Sequence, residues 1–304
     1  MTEQNSLITG RVIEEQKNYF IVSTPRGELR CTTKGTLKKV KFRICAGDLV
    51  DAAILNEDSM EGVICEVHPR LSLLPRPPLA NLSQVIFINC FKHPRLDLEA
   101  IDRFLFSAAA YNINATLVFN KTDLLDEQEL IELSEVENVY KNIGYKTMRT
   151  SVVKKEGIDE LTDICKDKIS AFAGLSGVGK STLLSLIFPH IEFRTKKVSG
   201  ASGRGTHTTT NINLLSLDNS SFLADTPGFA FVDVPAVEEE TVVSHFPEIE
   251  NCVGKCQFNN CIHNAEPGCK VHELVEKNEI APWRYEHYLK LYYEMAERRK
   301  KNRA

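Results

Sequence analysis

The chain contains no run of 18 apolar residues, so no segment reads as a membrane-spanning helix. Its first residues, Met1-Thr2-Glu3-Gln4-Asn5-Ser6, lack the basic and apolar regions of a secretory signal. From these two absences we expect a cytoplasmic protein with no membrane partner, whose cysteines are thiols or metal ligands and not disulfides. A large excess of positive charge is missing as well. The 37 Lys and Arg stand against 41 Asp and Glu, a net charge of −4, which excludes a simple polyanion binder. No internal repeat is apparent. The 304 residues, with an ordinary 42% hydrophobic content, leave room for two or three domains.

What is present is unevenly placed. Cys31, Cys45, Cys65, Cys90 and Cys165 are scattered and read as buried structural thiols, whereas the other four cysteines crowd into residues 252–269. Between Arg26 and Arg43, seven cations (Arg26, Arg30, Lys34, Lys38, Lys39, Lys41 and Arg43) face the single acid Glu28. A second basic patch is the tail Arg298-Arg299-Lys300-Lys301-Asn302-Arg303. Such patches on an acidic chain fit a polyanion touched at selected points, or simply a solvated loop and a frayed helix end.

Three segments follow from the patterning. Residues 8–68 alternate short β-rich runs with turns, which predicts a small β-barrel, of the OB type or SH3-like. Arg76-Pro77-Pro78 then predicts an extended linker. Residues 82–235 alternate apolar strands (Val85–Asn89, Ala115–Phe119, Ser170–Ala173, Ser221–Ala224) with helical stretches at Leu96–Ala110 and Asp126–Asn142, the rhythm of a mostly parallel α/β sheet. The remainder holds the cysteine cluster and a charged helix through Tyr285–Arg299. The expected domains are 1–75, 76–235 and 236–304.

Gly174-Leu175-Ser176-Gly177-Val178-Gly179-Lys180-Ser181 follows a strand and precedes the helical run Thr182–Ile187, the context a phosphate loop requires. Its backbone N–H groups would curl around phosphate oxygens, with Lys180 on the β- and γ-phosphates and Ser181 on Mg2+. Asp225-Thr226-Pro227-Gly228 ends another strand. There Asp225 would hold the magnesium through water, and the Gly228 N–H could sense the γ-phosphate. Asn120-Lys121-Thr122-Asp123 follows an apolar strand as a base-reading motif. Asp123 can accept both N1–H and the exocyclic amine of guanine, and adenine offers no such pair. Lys121 can lie over the base, Asn120 can tie loops together, and Ser151 is a further base-loop residue. These motifs predict GTP and GDP as ligands. The base-reading motif precedes the phosphate loop, the reverse of the usual order, so a circularly permuted P-loop GTPase is expected.

Between these motifs lies Gly200–Thr210, whose three glycines predict a mobile switch loop. Thr209, or alternatively Thr208, would complete the magnesium shell. Phe229 stands where a water-orienting glutamine is usual, and a phenyl ring cannot orient water. His207 is the local substitute, and intrinsic turnover is expected to be slow.

Cys256-x4-Cys261-x-His263-x5-Cys269 places three thiolates and one imidazole within 14 residues. Four such donors suit one tetrahedral structural zinc and leave no open position for catalysis. Cys252 is a fifth thiol that could compete.

Taken with the reversed motifs, Gly-Arg-Gly-Thr-His-Thr-Thr at 203–209 and Glu266-Pro267-Gly268 inside the cysteine cluster, the chain resembles the RsgA (YjeQ) family of ribosome small-subunit-dependent GTPases. The resemblance spans nearly the whole length. It implies an OB barrel, a permuted GTPase domain and a zinc domain, with the family's switch histidine at His207 and its hydrophobic replacement of glutamine at Phe229. Where the family carries Ser-Ala, this chain reads Ser151-Val152. The resemblance also implies binding to the small ribosomal subunit and its rRNA during late maturation, GTP hydrolysis stimulated by it, and departure. A monomer is expected. Because the permutation leads the switch directly into the zinc domain, loss of the γ-phosphate is expected to move that domain. The competing readings are an RNA-binding placeholder merely stabilised by GTP, and a GTPase serving RNA modification.

Overall fold

Alternation of inward apolar and outward polar residues closes the first five strands into a barrel. The computed structural model describes residues 7–35, 43–75, 77–189, 212–218, 220–225 and 234–303. Strands β1 (Leu7–Glu15), β2 (Phe20–Thr24), β3 (Gly27–Thr33), β4 (Leu49–Asn56) and β5 (Glu61–Val67) run in the order β1-β2-β3-β5-β4, and β4 returns to pair with β1. Along β3, Leu29 and Cys31 turn inward while Glu28, Arg30 and Thr32 face solvent. The β3–β5 pair is parallel, so the chain must cross over between them, which gives the closed OB-type barrel. Irregular register between Val12 and Glu14, and again in the β4–β5 pair, supplies the bending that closure needs. Val12, Val22, Leu29, Cys31, Val50 and Ile64 fill the interior. Burial pushes the Cys31 thiol up to about 12 and the Cys45 thiol up to about 11, as befits inert packing groups. Of the five scattered cysteines, only Cys65 is not fully buried.

The proline segment is more ordered than an extended linker. Leu73–Pro75 (β6) and Pro78–Ala80 (β7) form an antiparallel ribbon with Pro75 opposite Pro78, so the prolines sit where the ladder ends. Gly47 makes its approach to the ribbon possible. Its φ is +90°, and a Cβ there would lie 1.9 Å from the Ala80 carbonyl oxygen.

The chain divides into two compact units, Met1–Ile86 with Gly157–Phe172 and Gly179–Phe229, and Phe87–Glu156 with Ala173–Val178 and Ala230–Ala304. In the first, the barrel is joined by α3 (Ile158–Asp163), β11 (Ile169–Ala173), α4 (Lys180–Ile187), β12 (Asn213–Ser216) and β13 (Phe222–Asp225). The strands lie in the order β11-β13-β12, with β11 and β13 parallel and β12 antiparallel. Barrel strand β1 packs against β12, and the Arg11 guanidinium lies 5.6 Å from the centre of the Phe222 ring.

In the second unit, β8 (Gln84–Cys90, from Phe87 onward), β9 (Asn114–Asn120) and β10 (Lys146–Arg149) lie in the order β10-β9-β8. Every residue of β8 is buried, as expected of a strand covered on both faces. Helix α1 (Leu98–Ala110) starts at the cap Asp97, and α2 (Glu127–Asn142) starts at a reciprocal Asp126–Glu129 capping box. The C-terminal part contributes α5 (Pro247–Glu250), α6 (Lys270–Glu276) and α7 (Pro282–Arg303). Phe106, Val242, Phe246, Ile249, Tyr288 and Leu291 belong to its core. One buried cation ties this unit together. Arg284 donates to Asp102 Oδ1 at 2.7 Å and to Glu248 Oε1 at 2.6 Å, and Asp102 also accepts from Tyr140 OH at 2.7 Å. Burial opposes the Arg284 charge, but Asp102 and Glu248 outweigh it and raise its pKa.

Candidate functional site

The base-reading motif sits where β9 ends. Asn120 is the last residue of the strand and is 2% exposed. Its amide nitrogen donates to the Val178 carbonyl at 2.9 Å, and its oxygen accepts from Thr150 Oγ1 at 3.0 Å. Lys121, with φ +63°, turns the chain into a short 3-10 segment at Thr122–Leu124. The Lys121 ammonium donates to the carbonyls of His93, at 2.9 Å, and Gly177. Thr122 donates its hydroxyl to the Thr150 carbonyl at 3.2 Å. Ser151 donates to Asp123 Oδ1 at 2.5 Å and accepts from the Lys154 N–H at 3.1 Å, so the carboxylate is held in one orientation. The predicted Asn120, Lys121, Thr122, Asp123 and Ser151 therefore come together, with Val178 bonded directly to Asn120. Sequence reading missed Thr150 as a member. Its signal was only its position beside Ser151, because a buried hydroxyl looks like any other threonine in a sequence.

The phosphate loop leaves β11 through Gly174, whose φ is +152°; a Cβ there would lie 2.3 Å from the Ile88 carbonyl oxygen. Half-buried Leu175 leads into an arch exposed at Ser176 and Gly177, and Val178 is buried beneath it. Gly179 then caps α4, with Lys180, Ser181 and Thr182 in the first turn of the helix. Ser181 and Thr182 are exposed, and burial lowers the pKa of the Lys180 ammonium. A helix N-terminus with an adjoining glycine arch turns N–H groups and positive dipole toward an anion. Asp225 is the last residue of β13. The Asp225 side chain, His207, Thr208, Thr209, Gly228 and Phe229 lie outside the described residues.

The cysteine cluster is assembled on a tight loop ahead of α6. Cys256, Cys261 and Cys269 each place Sγ 3.5 Å from His263 Nδ1, and all four donor atoms lie within 4.8 Å of one another. For Zn–S near ~2.3 Å and Zn–N near ~2.05 Å, a tetrahedral angle gives an S–N edge of about 3.5 Å. The donor set thus fits zinc in both chemistry and spacing. His263 adopts φ +62° to turn inward. Its carbonyl is held by Tyr285 OH at 2.8 Å, while Glu266 accepts the N–H groups of Ile262 and Asn264 at 2.8 Å each and of Ala265 at 3.1 Å. Cys252 stays outside the donor group, and its thiol points to the Glu248 carbonyl at 3.5 Å.

A β9-end base motif and a phosphate loop after β11, with an OB barrel ahead and a Cys3His loop behind, define a circularly permuted P-loop GTPase. Residues 67–235 match the family described as RsgA GTPase. A Moorella thermoacetica protein named small ribosomal subunit biogenesis GTPase RsgA is 39% identical over 92% of this chain and 94% of its own length. A protein of the same name from Thermotoga petrophila is 40% identical over 96% of this chain and 98% of its own. The crystal structure of YjeQ from Thermotoga maritima superposes with a TM-score of 0.80 at 35% identity, covering 96% of this chain and 99% of that one. That of YloQ, described as a circularly permuted GTPase, gives 0.81 at 28% identity, covering 98% of each. The chain belongs to the RsgA GTPase family.

Proposed function

We propose that this GTPase acts on the small ribosomal subunit late in its maturation, hydrolysing GTP there and departing as GDP forms. The observation that carries the reading is the fixed Asp123 carboxylate, oriented by Ser151 beside an Asn120 bonded to Val178. Its relatives' shared name, small ribosomal subunit biogenesis GTPase, supplies the address.

Asp123 accepts two N–H groups of guanine, Lys121 covers the base, and Thr122 and Ser151 fix the loop. Backbone N–H groups from Gly174 through Gly179, with Lys180 and Thr182, hold the phosphates. Ser181, Asp225 and Thr209 or Thr208 would hold Mg2+, which neutralises charge on the β- and γ-phosphate oxygens when bound. The Gly228 N–H reports the γ-phosphate. His207 orients the attacking water in place of the glutamine that Phe229 displaces, and the subunit orders this loop. Cys256, Cys261, His263 and Cys269 hold one structural zinc. The domains are 1–75, 76–235 and 236–304, the barrel and its Arg26–Arg43 stretch touch rRNA, and the protein works as a cytoplasmic monomer.

GTP turnover with and without salt-washed small subunits tests this. Strong stimulation by small subunits, absent with large ones and lost in His207→Ala, is the expected result. A rate indifferent to ribosomes overturns the reading.

A further inference from the structure

Within the basic tail, Arg298 and Arg299 are already engaged by other residues of the chain. Arg299 Nη1 lies 2.7 Å from Glu239 Oε1, 3.0 Å from Glu240 Oε1 and 3.4 Å from Glu238 Oε2, so three consecutive carboxylates converge on one guanidinium. Arg298, one residue earlier, donates to Glu294 Oε1 at 2.7 Å and to the Val234 carbonyl at 2.7 Å. Lys300 and Lys301 continue the helix as exposed residues. Tyr293, 45% exposed, lies two helical turns before Lys300 on the same face.

Three carboxylates around one arginine exceed what a single ion pair needs. Glu238 and Glu240 are 67% and 65% exposed, so those two pairs are weak and open to exchange in water, whereas Glu239, 16% exposed and 2.7 Å away, holds Arg299 most closely. The arrangement offers Arg299 the oxygens and negative charge that a nucleic-acid backbone would present. Lys300 and Lys301 follow Arg299 along the helix and share an exposed side of α7 with Tyr293, next to the Glu-covered side, where cations and a stacking ring suit single-stranded RNA. Two terms oppose anion binding here, the negative end of the α7 dipole and the exposed Glu297 between Tyr293 and Lys300.

We propose that Glu238, Glu239 and Glu240 are an internal competitor for the phosphodiester backbone of single-stranded RNA, which displaces them from Arg299. This deepens the ribosomal reading above and rests on it for the identity of the RNA. Because Arg298 also grips Val234, at the start of the described segment after the Asp225–Gly228 motif, the exchange takes place on the stretch of chain that leaves the nucleotide switch.

The test is the Kd of the zinc-loaded full chain for a fluorescent oligouridylate over a salt series. Glu239→Gln with Glu240→Gln should tighten binding roughly three- to tenfold at low salt and steepen the log–log salt slope by about 0.7, one additional phosphate contact. The control Glu132→Gln with Glu135→Gln removes the same charge from the exposed side of α2 and should change Kd far less. Adding Arg299→Ala to the Glu239/Glu240 variant should erase the gain. An unchanged Kd, an equal gain in the control, or a gain that survives Arg299→Ala overturns the proposal. Oligouridylate binding needs no ribosome, so failure of small subunits to stimulate turnover would sink the earlier reading and leave this result intact.

Discussion

Asn120 donates its amide to the Val178 carbonyl at 2.9 Å, joining two residues 58 positions apart and fastening the base-reading strand end to the phosphate loop. The bond makes the strand end that carries Asn120–Asp123 and the loop that carries Gly174–Val178 parts of one local structure, although the permutation has exchanged their order in the chain. Thr150 Oγ1, donating to the other end of the same amide, fixes which way it points.

Thr150→Val should therefore loosen nucleotide binding without touching nucleotide. It leaves the buried Asn120 oxygen without this donor, a cost of about 1–3 kcal/mol. Thermal unfolding of the nucleotide-free protein should show the loss, and titration with a fluorescent GDP should show a weaker Kd. Thr150→Ser, which keeps the hydroxyl, should restore most of both.

Asp123→Asn should abolish the paired acceptance of guanine N–H groups. Two charge-assisted hydrogen bonds at about 1.5–3 kcal/mol each imply a loss of at least ~10²-fold in GTP affinity. Binding of xanthosine triphosphate, which presents an acceptor where guanine has its amine, should improve over wild type. A variant still selective for GTP would remove Asp123 from the site.

Arg284→Ala should be among the most damaging single changes outside the nucleotide site. It takes both guanidinium contacts from the Glu248 carboxylate and leaves Asp102 with Tyr140 OH and His287 Nδ1, and breaking such a buried pair costs about 3–5 kcal/mol. Chemical denaturation should show a lower midpoint, with zinc still bound at low denaturant.

Removing the metal should dissolve the loop that the four donors organise. A strong chelator should release one zinc per chain, expose the Cys256, Cys261 and Cys269 thiols to alkylation, and lower stability by several kcal/mol, given about 10–16 kcal/mol for zinc-finger peptides. Cys252→Ser should keep full zinc content, because Cys252 lies outside the donor group.

Glu266 gives the loop a pH dependence of known sign. Burial alone would raise its pKa, but donation from the N–H groups of Ile262, Asn264 and Ala265 wins and lowers it. A depressed carboxylate contributes stability above its unfolded pKa and loses it as pH falls through the folded value. Glu266→Gln should therefore release zinc to a chelator faster than wild type at neutral pH. The difference in thermal stability between the two proteins should narrow as pH falls through the folded pKa of Glu266.

The nucleotide motifs and the Cys3His donor set were legible in the chain because each is a local chemical pattern, and the reversed order follows from reading those motifs along it. Glycines at fixed offsets, a carboxylate after an apolar strand, and four donors within 14 residues carry their meaning in spacing alone. The barrel strands were visible through their alternation, but the OB order was not, since the parallel β3–β5 pairing is a contact between distant segments. Also out of reach were Thr150 behind Asn120, Arg284 on Asp102 and Arg299 under Glu238–Glu240. Such side-chain pairs depend on which surfaces the packed core brings together, and no short-range periodicity encodes that. The sequence by itself determined the ligand chemistry. Tertiary structure alone decided which polar groups support it, because burial turns an ordinary hydroxyl or guanidinium into one that must find its partner.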